Sequence, residues 1–212
     1  NRRNGVVRVS NFRQNRKHKA FDPSFYIGKL KAESPLASGI KNEEKFVPKH
    51  TFSDFLISDQ LKRNIVRRGY SSPTPIQDQA ISPIMVGRDA VGVANTGTGK
   101  TAAFLIPLTH RAFQNRSLRV LIITPTRELA VQIQEELAAF AQGMNITSVL
   151  CIGGVHSHPQ AEKLRRNPQF VIGTPGRLKD LEMGRKLNFA SFNTIVLDEV
   201  DRMLDIGFFQ EI

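Results

Sequence analysis

Residues 90–101, Ala90-Val91-Gly92-Val93-Ala94-Asn95-Thr96-Gly97-Thr98-Gly99-Lys100-Thr101, decide the fold. Ala90–Ala94 is apolar on successive residues, as a strand covered on both faces requires. Gly97 and Gly99 let the backbone turn sharply, and an apolar helical pattern then runs from Thr101 to Phe113. Strand, glycine turn and helix in immediate succession open a βαβ unit. From Ala94 to Thr101 the residues nearly match the phosphate-loop pattern, with Ala94 where the strict pattern has glycine. The chemistry accounts for the residue types. Successive N–H groups of Asn95, Thr96, Gly97, Thr98 and Gly99 can converge on phosphate oxygens, and the helix N-terminus adds partial positive charge. Lys100 is then placed to reach the β and γ phosphates, and Thr101 to give its hydroxyl to Mg²⁺.

Working outward, four more short apolar runs read as strands: Val120–Thr124, Ser148–Ile152, Phe170–Gly173 and Thr194–Asp198. Helical patterns lie between them. Arg127–Ala141 carries Leu129, Ile133, Leu137 and Phe140 on one stripe, Pro159–Arg166 is weaker, and Gly176–Met183 opens after Thr174-Pro175. This alternation predicts an α/β fold, a doubly wound and mostly parallel sheet with helices on both faces. Ligands bind such sheets at the carboxyl ends of the strands. There, Thr194-Ile195-Val196-Leu197 runs straight into Asp198-Glu199-Val200-Asp201. Two adjacent carboxylates alone are ordinarily a solvated turn. Behind an apolar strand, in a chain with a phosphate loop, Asp198 is expected to hold Mg²⁺ through a water and Glu199 to polarise the attacking water.

The base is addressed upstream, in Gly69-Tyr70-Ser71-Ser72-Pro73-Thr74-Pro75-Ile76-Gln77. A glutamine amide donates and accepts at once, matching the N6 donor and N7 acceptor of adenine, whereas guanine presents two acceptors there. Gln77 is therefore expected to select ATP, with Tyr70 offering a flat face to the base. The same segment also reads as a helix start, with Thr74 as N-cap and Pro75 in the first turn. The two readings are compatible.

Together these motifs resemble the first RecA-like domain of the DEAD-box RNA helicases. The resemblance spans residues 52–209, with its motifs in the family's order. It implies an ATP site with Tyr70, Thr74 and Gln77 in the adenine motif and Phe52 as the isolated upstream aromatic. The phosphate loop runs from Ala94 to Thr101, alanine being the family's usual first residue there. RNA contacts are implied at Pro125, Thr126 and Arg127, at Gly153 and Gly154, and at Thr174, Pro175, Gly176 and Arg177. Each of these follows a strand and opens a helix or a glycine turn, an arrangement that grips phosphates without reading bases. Arg127 can alternatively brace neighbouring loops. Asp198-Glu199-Val200-Asp201 matches the naming motif with valine for alanine, and Asp201 is the residue expected to couple ATP to RNA between domains. The implied activity is ATP-dependent RNA helicase, with ATP and Mg²⁺ as cofactors and RNA as partner. The family's Ser-Ala-Thr motif and second RecA-like domain are not in these residues, so the chain reads as a fragment, expected to be nearly inactive alone.

Composition bounds the rest. Across 212 residues, 30 Lys and Arg face 19 Asp and Glu, a formal charge of +11 that favours a polyanionic partner. Residues 1–50 hold 12 basic and 4 acidic side chains, a net of +8, and residues 51–212 only +3 (18 against 15). The expected organisation is thus a basic, largely irregular arm over 1–50 and an ATP-binding domain over 51–212. The arm reads either as a solvated tail or as an auxiliary nucleic-acid contact, and Phe21–Ile27 can alternatively dock on the domain. One cysteine, Cys151, excludes a disulfide framework and reads as core. No run reaches the ~18 apolar residues of a membrane span, which points to a cytoplasmic protein with no membrane contact. His156 and His158 lack nearby ligand partners and read as surface residues. Two rival functions stay open at this level: a non-catalytic ATP-dependent RNA clamp, and a DNA-directed P-loop ATPase.

Overall fold

A computed structural model describes residues 4–11 and 46–208. The chain divides into two units, residues 1–12 with 48–212 and residues 13–47, and of the second only Phe46 and Val47 lie among the described residues. The readings of residues 12–45, including the docking of Phe21–Ile27, lie outside them.

The first unit holds a six-stranded sheet. Its strands are β1 (Asn4–Asn11), β2 (Ala90–Asn95), β3 (Val120–Ile123), β4 (Ser148–Cys151), β5 (Phe170–Gly173) and β6 (Thr194–Leu197), in the order β2-β1-β6-β3-β5-β4. Strands β6, β3, β5 and β4 pair in parallel, as the alternation predicts. The helices are α1 (Asp59–Arg67), α2 (Pro75–Met85), α3 (Lys100–Gln114), α4 (Arg127–Phe140), α5 (Ser157–Arg165), α6 (Pro175–Met183) and α7 (Val200–Ile206). Side-chain alternation divides the core between the two sheet faces. Ile122, Phe170, Ile172 and Val196 pack with Leu61, Ile81, Phe104, Ile133 and Phe140. Leu121, Val149, Cys151 and Val171 pack with Leu178, Leu181 and Phe192. Burial raises the Cys151 thiol to about 12, which leaves it a small apolar core residue.

Two expectations need correction. The arm is not irregular throughout, because residues 4–11 form β1, antiparallel to both β2 and β6. Asn4 stands opposite Asn95 and Arg8 opposite Leu197, so β1 is the strand that joins β2 to β6. Arg8 interrupts the apolar run, so sequence pattern alone gives no strand there. Without β1, edge N–H donors and C=O acceptors of β2 and β6 would lack partners, so an extended segment pairs there whatever its apolar pattern. Nor is β2 covered on both faces: its residues alternate, with Val91 and Val93 exposed. Among the described residues no helix is long and apolar enough to cross a membrane.

Candidate active site

Every loop expected to act leaves the same edge of the sheet. The phosphate loop follows β2, Pro125–Arg127 follows β3, Gly153-Gly154 follows β4, Thr174–Arg177 follows β5 and Asp198-Glu199 follows β6. Gly97 and Gly99 adopt φ of +81° and +87°, the left-handed region that glycine enters without cost. A Cβ on Gly99 would also collide with Nε2 of Gln77. That contact shows how the loop is held. Gln77, 0% exposed, accepts from the Thr74 N–H at 3.0 Å through Oε1 and donates to the Gly99 carbonyl at 3.1 Å through Nε2. Both ends of the amide are engaged inside the protein. Gln77 thus stands at the phosphate loop with its amide oriented by the chain itself. Gln77 occupies the third helical position after Thr74, where a glutamine reaches back to the cap N–H, and it ties that turn to the phosphate loop.

Lys100 is 8% exposed and donates to the carbonyls of Ala94 at 2.5 Å and Asn95 at 2.9 Å. Thr98 steadies the same loop by donating to the Asn95 carbonyl at 2.6 Å. Across the cleft, Asp198 is 3% exposed. Burial, and then the neighbouring Glu199, push its carboxyl up to about 6, with Lys100 opposing. Glu199 has φ +51°, a left-handed conformation that a non-glycine residue adopts at a cost, and its Oε2 accepts from Arg202 at 3.3 Å. Asp201 lies in the first turn of α7 with Oδ1 buried and unpartnered. Thr96, Gly97, Gly99, Lys100, Thr101, Asp198 and Glu199 line one cavity of about 430 Å³. Arg68, Tyr70, Gln132 and Glu136 line the same cavity. Phe52, the isolated upstream aromatic, is buried in the core, edge-on to Tyr70 with ring centroids 6.1 Å apart.

The expected RNA residues sit side by side on the β3, β5 and β4 loops. Thr126 caps α4 by accepting from the Leu129 N–H at 3.2 Å. The Arg127 guanidinium lies against Gly153 and Gly154, where a Cβ on Gly154 would strike it, so it braces that loop. Pro175 opens α6. Arg177 donates to Gln160 Oε1 and to the Val155 carbonyl, each at 3.1 Å. His156 and His158 are exposed, and His158 lies 3.4 Å from Glu162.

Sequence reading missed Glu136 and Arg68. Arg68 Nε donates to Glu136 Oε2 at 2.9 Å, and the Tyr70 hydroxyl donates to Glu136 Oε1 at 2.8 Å. One signal was present. Glu136 falls on the inward stripe of α4 with Ile133, Leu137 and Phe140, where a carboxylate needs partners.

Comparison with known proteins agrees with this geometry. Residues 74–212 match the DEAD/DEAH box helicase family model. Over 180 residues the chain is 37% identical to the DEAD-box ATP-dependent RNA helicase RhpA of Helicobacter pylori strain B128, covering 85% of this chain and 36% of that protein. It is 41% identical over 162 residues to the ATP-dependent RNA helicase CshA of Limosilactobacillus reuteri, covering 76% and 33%. The chain thus spans about a third of the length of these relatives. A DEAD box protein from Methanococcus jannaschii superposes with a TM-score of 0.68 at 33% identity, over 76% of this chain and 44% of that one. On its motifs, its doubly wound RecA-like sheet and these relationships, the chain belongs to the DEAD/DEAH box helicase family.

Proposed function

We propose that this chain is the ATP-binding and part of the RNA-binding half of an ATP-dependent RNA helicase, an ATP hydrolase that remodels RNA. The observation that carries this reading is the shared cavity. Lys100 and Thr101 from one end of α3 meet Asp198 and Glu199 from the end of β6 on its walls. On this reading residues 51–212, with β1 added from residues 4–11, form the first RecA-like domain, the rest of residues 1–50 a basic arm, and a second RecA-like domain completes the site. One cysteine suits the reducing cytoplasm.

Each residue then has a task. The Lys100 ammonium exchanges its two carbonyl partners for phosphate oxygens and neutralises their charge. Amides of residues 95–99 cradle the phosphates. Glu199 accepts a proton from the water that attacks the γ-phosphate. Mg²⁺ fits the donor set, because Asp198 is a buried carboxylate whose charge is under-compensated, and Thr101 brings a hydroxyl to the same cavity. Asp198, through a water, and Thr101 would hold the ion, which when bound neutralises charge on the phosphates. RNA would lie along the β3, β5 and β4 loops, its backbone near Pro125–Arg127, Gly153-Gly154 and Thr174–Arg177, with Asp201 coupling the two ligands. The test is ATP turnover by the full-length protein with RNA, with DNA and with neither. RNA-stimulated turnover that disappears in Lys100→Ala is expected. ATP binding without turnover would instead favour a clamp, and equal stimulation by DNA a DNA-directed ATPase.

A further inference from the structure

The sheet has a second edge, where the chain enters β3, β4, β5 and β6 rather than leaves them. The entry loops are residues 115–119, 141–147, 166–169 and 184–193. They hold Arg116, Arg119, Arg166, Arg185 and Lys186 and no aspartate or glutamate. The rest of residues 51–212 carries 13 basic and 15 acidic side chains, so the whole positive excess of the domain stands on this edge. The C-termini of α3, α4, α5 and α6 lead into these loops, and their dipoles favour cations there. Four termini at about half a negative charge each offset two of the five cations and leave about three.

Neighbouring strands bring the loops together. Arg119 lies where three of them meet. Its N–H donates to Asn193 Oδ1 and its Nη1 to Asn167 Oδ1, each at 3.0 Å, and its guanidinium lies 5.1 Å from the centre of the Phe192 ring. Arg116 donates to the carbonyls of Asn145 at 2.7 Å and Met144 at 3.3 Å, and lies 5.7 Å from the centre of the Phe113 ring. Cations held on carbonyls and ring faces keep their place, so little side-chain freedom remains to be lost when an anion arrives. The protein supplies no such anion. Among the described residues none of the five forms an ion pair, and Nε of Arg119 is buried without a partner. Burial lowers the Arg119 guanidinium from its ordinary value, with no carboxylate near enough to oppose. Arg116, Arg166, Arg185 and Lys186 are exposed. Phe113 and Phe189, 37% and 38% exposed, stand among them. Cations interleaved with accessible rings suit a polyanion that also carries bases, more than an acidic protein. We propose that this second edge binds the backbone of RNA, as a contact separate from the loops that leave β3, β5 and β4. The inference rests on RNA being the partner, as proposed above.

The experiment compares cations of this edge with equal charge elsewhere. Affinity of the 212-residue chain for a labelled oligouridylate is measured at several salt concentrations. Arg166→Gln/Arg185→Gln/Lys186→Gln removes three exposed cations and leaves the packed Arg116 and Arg119. Lys62→Gln/Arg63→Gln/Arg67→Gln removes three from α1. The edge triple should bind tenfold or more weakly at low salt, with a salt slope smaller by about 2, at ~0.7 per contact on single strands. The α1 triple should keep the wild-type slope. Equal losses in both triples would mean that net charge alone matters, and they overturn the proposal, as does a wild-type slope in the edge triple. Poly-glutamate that binds as tightly as oligouridylate, with the same sensitivity to the edge triple, would assign the edge to acidic proteins instead. A second readout needs no variant. Photocrosslinking of thiouridine-substituted RNA to the wild-type chain should label peptides from 166–169 or 184–193, and labels confined to the loops of the opposite edge overturn the proposal. A wild-type chain with no affinity for oligouridylate removes the RNA reading and this inference together, whereas binding that ignores the edge triple removes the inference alone.

Discussion

Asp198 carries the clearest cost at the scale of single residues. An unfolded aspartate ionises near 3.9, and in the fold burial and Glu199 raise this carboxyl to about 6. Between those values the folded chain retains a proton that the unfolded chain has released. Stability therefore falls as pH rises from about 4 to about 6 and stays lower above that. Two pH units at about 1.36 kcal/mol each set the size at roughly 2–3 kcal/mol. Asp198→Asn removes the charge and should raise the melting temperature in EDTA at pH 7.5, by ~2–4 °C per kcal/mol for a chain of this length. The gain should shrink toward pH 4, and melting curves from pH 4 to 8 in which the variant never exceeds wild type would rule out an under-compensated charge. Lys100 behaves in the opposite way. Lys100→Ala should leave melting without nucleotide within a few degrees of wild type but abolish the stabilisation by Mg-ATP, read by the same melts. These groups were legible because glycine, lysine and adjacent carboxylates stand in short motifs at strand ends. Glu136 was not, since its partners Arg68 and Tyr70 come from a turn far upstream, and only the folded chain joins them.

Elements were legible to the extent that their residues alone determine them. β3 and β5 are buried on both faces and read as continuous apolar runs. α4 shows its stripe in sequence, and the structure adds its Thr126 cap. β1 is different, because pairing rather than pattern makes it a strand. It supplies the ladder that links β2, which carries the phosphate loop, to β6, which carries the acid pair. Removing residues 1–11 should therefore deprotect the amides of Ala90–Asn95 by tenfold or more in native-state hydrogen exchange, since strand amides without a partner open locally. Amides of β3 and β5, which pair with each other and with β6 or β4, should keep their protection. Unchanged exchange in Ala90–Asn95 would mean that β1 contributes nothing to the order of the phosphate-loop strand. Gly99→Ala should be more damaging still within this element, because it combines a φ of +87° with a collision against Gln77. Its melting temperature should fall even without nucleotide, which distinguishes it from Lys100→Ala.

Across the whole molecule, one sheet edge supplies every wall of the cavity except that made by α4 and the α1–α2 turn. Phosphates resting there are contacted from this side alone and stay in water, where each charge contact is worth a fraction of its value in a closed, low-dielectric cleft. Lys100, Asp198 and Glu199 can bind and activate from that side. On the proposed ATP reading, charge also develops at the far side of the γ-phosphate on transfer, where a donated arginine is worth ~10³–10⁵ in rate in related systems. The 212-residue chain should accordingly bind Mg-nucleotide weakly and show almost no RNA-stimulated hydrolysis. RNA affinity should survive, because the β3, β5 and β4 loops are complete, and should fall steeply with salt through counterion release. Replacing Arg13, Arg16, Lys17 and Lys19 by glutamine distinguishes the two readings of the arm. An arm on phosphates loses up to ~0.7 of salt slope per charge on single strands, whereas a solvated tail leaves the slope unchanged. Turnover and RNA affinity should be read on the same samples at several salt concentrations. Vigorous RNA-stimulated turnover by these 212 residues would show that the sheet edge seen here suffices for catalysis, against the proposed requirement for a second domain.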